Sequence, residues 1–428
     1  MMQNNYVIVF EDNSYGGFYP ITLSRPVFNI LVGTKTNLQR IKNFFPEYEI
    51  LTMCRNYLPE NMELEINNII DQDFSKLILL NGSLLIGNND IDFIKEIKSI
   101  DESVVYVNED DICVAAVILS SQKYGFFSHI NEITFNENFL KNYISKKQKI
   151  EISLFSKIWE PMLNNPKIIE SDFNEFYKGN SCTDSGDAIV YGKDELFVAE
   201  NVTTYAGSVI DSRNGPVIIE KGVEVKPFTY IEGPAFIGKN TKLVGGKLTS
   251  GCSIGPGCRI GGEVEQTVIV ANTNKYHDGF IGHAYIGEWV NIGALTTNSD
   301  LSNNYSEIMI KQNGKIAKTK SMKIGSFIGD HTKIGIGMTL NTGAVLGFSC
   351  NLFGGSLILE KEIPSFAWGN DQFRAPCMLQ DVLNTAQIVM ERRNFEFSDL
   401  HKKMFKHIYD ESTDLRKRWQ KRKMFGKM

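Results

Sequence analysis

Nowhere in these 428 residues does an apolar run approach the roughly 18 residues of a membrane-crossing helix, so no membrane span is expected. The opening stretch MMQNNYVIVFEDN has no basic segment followed by a long apolar one, so it does not read as a signal peptide. Basic residues are not in excess: 45 Lys and Arg stand against 50 Asp and Glu, a net charge of −5. A general nucleic-acid binder needs a basic face to neutralise phosphates, so no nucleic-acid partner is expected. Cysteines are few, odd in number and scattered (Cys54, Cys113, Cys182, Cys252, Cys258, Cys350, Cys377), with no C-x-x-C pair. That pattern supports neither a disulfide framework nor a structural zinc site, and it favours a reducing cytoplasm.

What remains is a composition ordinary for a globular protein, in a chain too long for one core; two or three domains are expected. Residues 1–180 alternate short β-branched runs with a helical stretch. YVIVF (6–10), KLILLNG (76–82) and SVVYV (103–107) read as buried strands, and DIDFIKEIKSI (90–100) as a helix capped by Asp90 or Asp92. This alternation predicts an α/β domain with a mainly parallel sheet. Ligands in such sheets bind at the carboxyl ends of strands, which directs attention to the residues after 10 and after 80.

Residues 181–370 have a different texture. Ile219, Val225, Ile231, Ile237 and Leu243 recur every six residues, then after a one-residue slip Leu248, Ile254 and Ile260. The beat returns at Ile286 and Ile292 and runs unbroken through Ile328, Ile334, Leu340, Leu346, Leu352 and Ile358. A period of six matches neither a helix nor a lone strand. It matches the hexapeptide repeat of a left-handed parallel β-helix, in which each hexad is one short strand with its aliphatic residue inward. Stiff, flat-faced prisms of this kind present a self-association surface, and a homotrimer is expected. One stretch breaks the rhythm: NTNKYHDGFIGHAYIGEWVNIGALTTNSD (272–300) crowds polar residues into the repeat. Residues 371–428 turn helical and charged, as an extension that caps the solenoid. Its basic run RKRWQKRK (416–423) reads as a solvated helix face.

An α/β domain joined to a hexapeptide β-helix resembles the bifunctional family of N-acetylglucosamine-1-phosphate uridyltransferase/glucosamine-1-phosphate N-acetyltransferase, and more closely its divergent sugar-nucleotidyltransferase-like members. The resemblance is carried by VFEDNSYGGFYPITLSRPVFNILVG, by NGSLLI, and by GGEVE together with NKYHDGFIGHAYIGEWVNIGALT. It implies acetyl-CoA as acyl donor, and a sugar phosphate or nucleotide sugar with a nucleoside triphosphate as substrates. It also implies Mg²⁺ in the N-terminal domain, a trimer, and a place in cell-envelope polysaccharide precursor synthesis. His277 matches the family's catalytic base, Glu263 the carboxylate supporting it, Asn291 an acceptor-site asparagine, and Ala294 a residue whose backbone lies near the thioester. Arg25, Asn81, Gly82 and Lys275 are the expected substrate- and nucleotide-binding residues. The chemistry asks for these types: an imidazole with a pKa near 6.5 removes the amine's proton at neutral pH, and a carboxylate fixes its tautomer.

The sequence also departs from the family. Glu265 and Gln266 replace a lysine pair, Phe280 replaces a tyrosine, and Asp300 stands where an asparagine is expected, with Asn298 two residues away. The loop after the first strand has Gly16 and Gly17 for flexibility but lacks the family's arginine. Arg25 matches an arginine of the following motif, Val27 stands for its lysine, and Ser83 stands for the magnesium-binding aspartate. Glu11, Asp12 and Asp172 are the carboxylates that would substitute. His283 and His331 read as structural or exposed. His277 and His283 are six apart and so face different sides of the prism, which argues against a three-histidine zinc centre of carbonic anhydrase type. Arg25 could equally cap a helix or pair with Glu11. Two other functions remain open: nucleotidyl transfer alone with the β-helix as a trimerisation module, and a non-catalytic trimeric sugar-nucleotide-binding protein.

Overall fold

The computed structural model describes residues 4–69, 74–122, 144–152, 154–180 and 185–421. Cys182 and the last residues of the basic run, 422–423, lie outside them. The chain forms two compact units: Met1–Phe18, Arg25–Ile30 and Lys35–Ser156 in the first, and Tyr19–Ser24, Leu31–Thr34 and Lys157–Met428 in the second.

The first unit is built on a six-stranded sheet. Its strands are β1 (Asn4–Phe10), β2 (Glu49–Met53), β3 (Phe74–Asn81), β4 (Val104–Val107), β5 (Cys113–Leu119) and β6 (Lys147–Lys149), in the order β2-β1-β3-β5-β4-β6. Val7, Val9, Ile78 and Leu80 are fully buried, as apolar runs covered on both faces should be. β1 pairs in parallel with β2 and β3, but β5 runs antiparallel to both β3 and β4. β4 pairs in parallel with β6, so three of the five pairings are parallel and the sheet is mainly parallel, with β5 as its one antiparallel strand. Residues 108–112 joining β4 to β5 are of hairpin length, and a connection that short cannot return the chain for a parallel pairing. Helix α1 (Asn37–Phe44) starts on a capping box from Thr36 and Gln39; α2 (Glu63–Asn68) and α3 (Ile91–Ser99) follow.

The long C-terminal part of the second unit opens with α4 (Trp159–Asp172) and continues as a parallel β-solenoid. One face stacks nine strands, from Leu196–Val198 to Glu362–Ile363. The hexad residues from Ile219 through Ile358 point inward with 3% exposure or less. The slip between Leu243 and Leu248 has a physical cause. Lys242–Leu248 and Arg259–Glu265 are seven-residue strands paired side by side, with Gly246 and Gly262 in the crossing. A Cβ on Gly246 would sit 2.4 Å from the Gly262 carbonyl oxygen, and its φ of +141° also demands glycine.

The interrupted stretch keeps the ladder. Val264, Ile269, Lys275, Ile281, Ile286, Ile292 and Asn298 occupy its inward positions, none more than 3% exposed. After Asn298 the chain leaves the prism as an antiparallel hairpin, Met309–Gln312 with Lys315–Lys318, and rejoins it at Ser326–Ile328.

Three helices end the unit: α5 (Leu379–Glu391), α6 (Asp399–Glu411) and α7 (Thr413–Lys421). Trp419 of α7 joins the aliphatic ladder core, with the Arg374 guanidinium 4.5 Å from its ring, so α7 closes the end of the solenoid. Phe405 of α6 packs on Phe348 and His331 along its side. Lys417, Arg418 and Lys421 face solvent, but Arg416 is buried, stacked 3.9 Å from the Tyr409 ring and bonded to Ser412. The basic run is thus a solvated face with one arginine folded into the helical cap.

Candidate functional site

Around the interrupted stretch, one outer face of the solenoid carries a groove of about 660 Å³. Phe228, Tyr230, Lys247, Glu263, Asp278 and Phe280 line it, with the glycines of the corner-crossing strands as its floor. Glu263 lies opposite Phe280 in parallel register, which sets both side chains on this face. Its carboxylate is bonded by the Lys247 ammonium at 3.1 Å, and that bond holds the ammonium above its ordinary pKa. Phe228, 85% exposed, supplies an apolar wall.

His277 sits at the prism corner beside this groove, exposed, its ring 5.2 Å from that of Tyr276. The next coil stacks on it: Leu295 N–H donates to the Asp278 carbonyl at 2.7 Å, which places Ala294 one coil along from His277. The structure therefore brings His277, Ala294 and Glu263 to one corner and its adjoining face. Glu263 accepts from Lys247 there, and no hydrogen bond joins it to His277 among the described residues. Asn291 lies round the corner, where its Oδ1 accepts from Asn274 at 3.4 Å, and Asn274 in turn accepts from Arg393 of the helical extension.

Lys275 does not face the groove. It fills a ladder position, 1% exposed, and its ammonium donates to the carbonyls of Gly261 at 2.9 Å and His277 at 2.5 Å. Burial pushes its pKa down to about 8 against the attraction of Asp278. The lysine shapes the turn that carries His277 from inside the prism.

Two residues beyond Glu263 on the same strand, Glu265 meets a group that the hexad pattern did not single out. His283 is 4% exposed, and its Nδ1 lies 2.7 Å from the Asp300 carboxylate. Glu265, His283 and Asp300 each place a ligand-type atom within 4.8 Å of the others, and Lys323 bonds Glu265 at 3.0 Å. His283 and His331 are both buried, so neither is a surface histidine. The signal for His283 was present in the sequence only as Asp300 in place of an asparagine.

In the first unit, the ends of β1 and β3 are tied together. Asn81 Nδ2 donates to Asp12 at 2.7 Å, and the hydroxyls of Ser14 and Ser83 lie 3.1 Å apart. Asn81 is fully buried and spends its side chain on Asp12, the Cys113 carbonyl and the Ser83 amide. Gly82 is needed for closeness: a Cβ there would lie 3.0 Å from both the Phe10 carbonyl oxygen and the Phe28 ring. The loop itself is a 3₁₀ turn, Asn13–Phe18, and neither Gly16 nor Gly17 takes a positive φ.

The sequence reading missed the cation beside this loop. Arg55 lies 4.2 Å from the Tyr15 ring and makes a two-pronged bond to Glu11 at 2.8 and 3.1 Å. Burial lowers the guanidinium's pKa, but Glu11 more than offsets this and leaves it raised. Arg25 is buried and lends its carbonyl to Arg55. Glu11 is thus committed to Arg55 and to the Val27 amide, and Asp172, in the second unit, to Thr34. Of the three candidate carboxylates, Asp12 is the one at the strand ends beside Ser83.

Residues 7–181 match the family model described as sugar nucleotidyl transferase. A bifunctional sugar-1-phosphate nucleotidylyltransferase/acetyltransferase of Sulfurisphaera tokodaii is 31% identical over 179 residues, 39% of this chain and 41% of that protein. Proteins described as bifunctional protein GlmU are similar too. The Synechococcus one is 32% identical over 178 residues, covering 39% of this chain and 38% of its own. That of Methanococcus vannielii is 28% identical over 173 residues, covering 37% and 39%. The chain spans about two fifths of the length of these relatives. An N-terminal domain like that of sugar nucleotidyl transferases is therefore followed by a β-solenoid and C-terminal helices. No described helix is long and apolar enough to cross a membrane.

Proposed function

We propose that the chain is a transferase with two activities: nucleotidyl transfer to a sugar 1-phosphate in the first unit, and acyl transfer from acetyl-CoA to an amine on the solenoid. The match of residues 7–181 to sugar nucleotidyl transferases supports the first. The observation that carries the second is the corner where His277, Ala294 and the groove of Glu263 meet, in a chain similar to proteins that couple the two activities.

In the first unit, the phosphate oxygen of the sugar attacks the α-phosphorus of the nucleoside triphosphate and pyrophosphate leaves. The tied ends of β1 and β3 orient the phosphates, with Arg55 and Arg25 as the cations of that neighbourhood. The Asp12 carboxylate and the Ser14 and Ser83 hydroxyls are hard oxygen donors that fit Mg²⁺, which takes one or two carboxylates beside substrate phosphates and neutralises their charge.

On the solenoid, the His277 imidazole takes a proton from the acceptor's ammonium. The freed amine attacks the thioester carbonyl, the C–S bond breaks, and coenzyme A leaves as its thiol. Glu263 supports the base once the acceptor displaces Lys247. Asn291 lies round the corner from the groove, so it would serve a neighbouring copy's groove in a trimer. The carboxylate and glutamine at positions 265 and 266 favour an acceptor other than glucosamine 1-phosphate. Six cysteines among the described residues stand as thiols rather than disulfides, which suits a cytoplasmic enzyme of cell-envelope precursor synthesis.

A second reading, nucleotidyl transfer alone on a solenoid that only assembles copies, is favoured by one observation: Glu263 is bonded to Lys247 rather than to His277. Purified protein assayed with a panel of sugar 1-phosphates, amino sugars, nucleoside triphosphates and acetyl-CoA separates the two. Pyrophosphate and coenzyme A should both be released in acceptor-dependent fashion. Pyrophosphate alone would leave the second reading, and neither product would leave a binding protein.

A further inference from the structure

A buried histidine held by a carboxylate, with a second carboxylate facing it, is a ligand set. The His283 side chain has one hydrogen-bond partner, Asp300, through Nδ1 at 2.7 Å. A carboxylate only accepts, so without an ion Nδ1 carries the proton; an ion bound at Nδ1 takes that proton's place, and the ring N–H moves to Nε2. An ion at Nδ1 meets the Asp300 carboxylate on the same side of the ring, so both residues can ligate it. Glu265 completes the group, and the three ligand-type atoms lie within 4.8 Å of one another. Bonds of about 2.0–2.2 Å to one ion put such atoms roughly 3–4 Å apart, so a small contraction closes the set.

Three segments bring these residues together. Glu265 ends the long strand Arg259–Glu265 and stands opposite Gly282; His283 N–H donates to the Glu265 carbonyl at 3.0 Å. Asn298, locked to both the amide and the carbonyl of Gly282, delivers Asp300 two residues later. Gly282 leaves the room: a Cβ there would lie 2.9 Å from Asp300 Oδ2. A cation already occupies the neighbourhood in the form of the Lys323 ammonium, 3.0 Å from Glu265. That lysine side chain is 48% exposed and is free to swing into solvent.

We propose that Glu265, His283 and Asp300 form a binding site for a divalent first-row transition-metal ion, seated on the face that carries the groove. One imidazole with two carboxylates suits Zn²⁺, Mn²⁺ or Fe²⁺ rather than the thiolate-seeking or all-oxygen ions. Three protein ligands leave coordination positions open toward solvent. Phe280 lines the groove, and its ring lies 2.4 Å from where a Gly282 Cβ would be, so the ion would sit just behind the groove wall. The site stands apart from acyl transfer by His277 and does not depend on it.

The test is titration of chelator-treated full-length protein with Zn²⁺ and, separately, Mn²⁺ by calorimetry, with metal content measured after gel filtration. One site per chain is expected. Asp300→Asn and Glu265→Gln, which keep side-chain shape and spare the buried imidazole, should each weaken it at least ten-fold, on the scale of lost ligands and their supports. Lys323→Met should tighten it, and His277→Ala should leave the titration unchanged. Absence of a stoichiometric site for either ion overturns the proposal. So does a site that both carboxylate variants leave within two-fold of the wild type, because the ion would then be held elsewhere.

Discussion

Glu263 gives its carboxylate to Lys247, 3.1 Å away across the groove, and not to His277. Both side chains are about half exposed, so the pair contributes well under 1 kcal/mol to stability. Glu263→Gln should therefore leave the melting temperature almost unchanged while lowering acyl transfer by less than His277→Ala does. A Glu263→Gln protein with a collapsed melting temperature would mean that the pair is structural.

The buried lysine carries a pH signature. Lys275 titrates at about 8 folded and at 10.5 as a free side chain, because burial penalises its charge. The folded state binds fewer protons than the unfolded state between those values, so stability from this group rises as pH increases from 8 toward 10.5. Lys275→Met removes the titration but also the bonds to the Gly261 and His277 carbonyls. Melting curves should show wild type gaining on Lys275→Met between pH 7 and pH 10, by about 1.4 kcal/mol per unit of pKa shift at most. A constant gap would show that the ammonium is solvated.

In the first unit, Asp12→Asn should lower Mg²⁺-dependent pyrophosphate release by about two orders of magnitude, and Arg25→Ala by a similar factor, the scale of one lost charge-stabilising group. Arg25 is buried, so its variant should also melt earlier; Asp12→Asn should not. Undiminished Mg²⁺-dependent turnover in both variants would place the phosphates elsewhere.

Much of the fold was legible because the solenoid writes its geometry into spacing. Every hexad from Ile219 to Ile358 points inward, since a coil of short flat strands has one buried position per strand. Where the rhythm broke, it broke for chemistry that spacing does not encode. Lys275 keeps an aliphatic residue's place by donating to two carbonyls, which made a structural residue look like a site residue. His283 and Asp300, seventeen residues apart, meet because one coil returns over the last at that interval. Arg55 escaped notice because β2, the strand beside β1, delivers it to the β1 loop from forty residues away in sequence. The antiparallel pairing of β4 and β5 depended on a five-residue connection that strand patterns alone do not weigh.

Assembly is the condition for Asn291 to reach a groove. Multi-angle light scattering at micromolar concentration should give three times the 48.3 kDa chain mass. A monomer mass would remove the neighbouring copy and with it any role for Asn291 across subunits.

The account turns on His277. With the best amine acceptor of the panel, coenzyme A release from acetyl-CoA should fall roughly 10²- to 10⁴-fold in His277→Ala, the usual contribution of a positioned base. The melting temperature and assembly mass should not move, because this exposed corner adds nothing to the ladder. An unchanged rate in that variant, or no acyl transfer to any amine by the wild type, would contradict acyl-transfer catalysis at this corner.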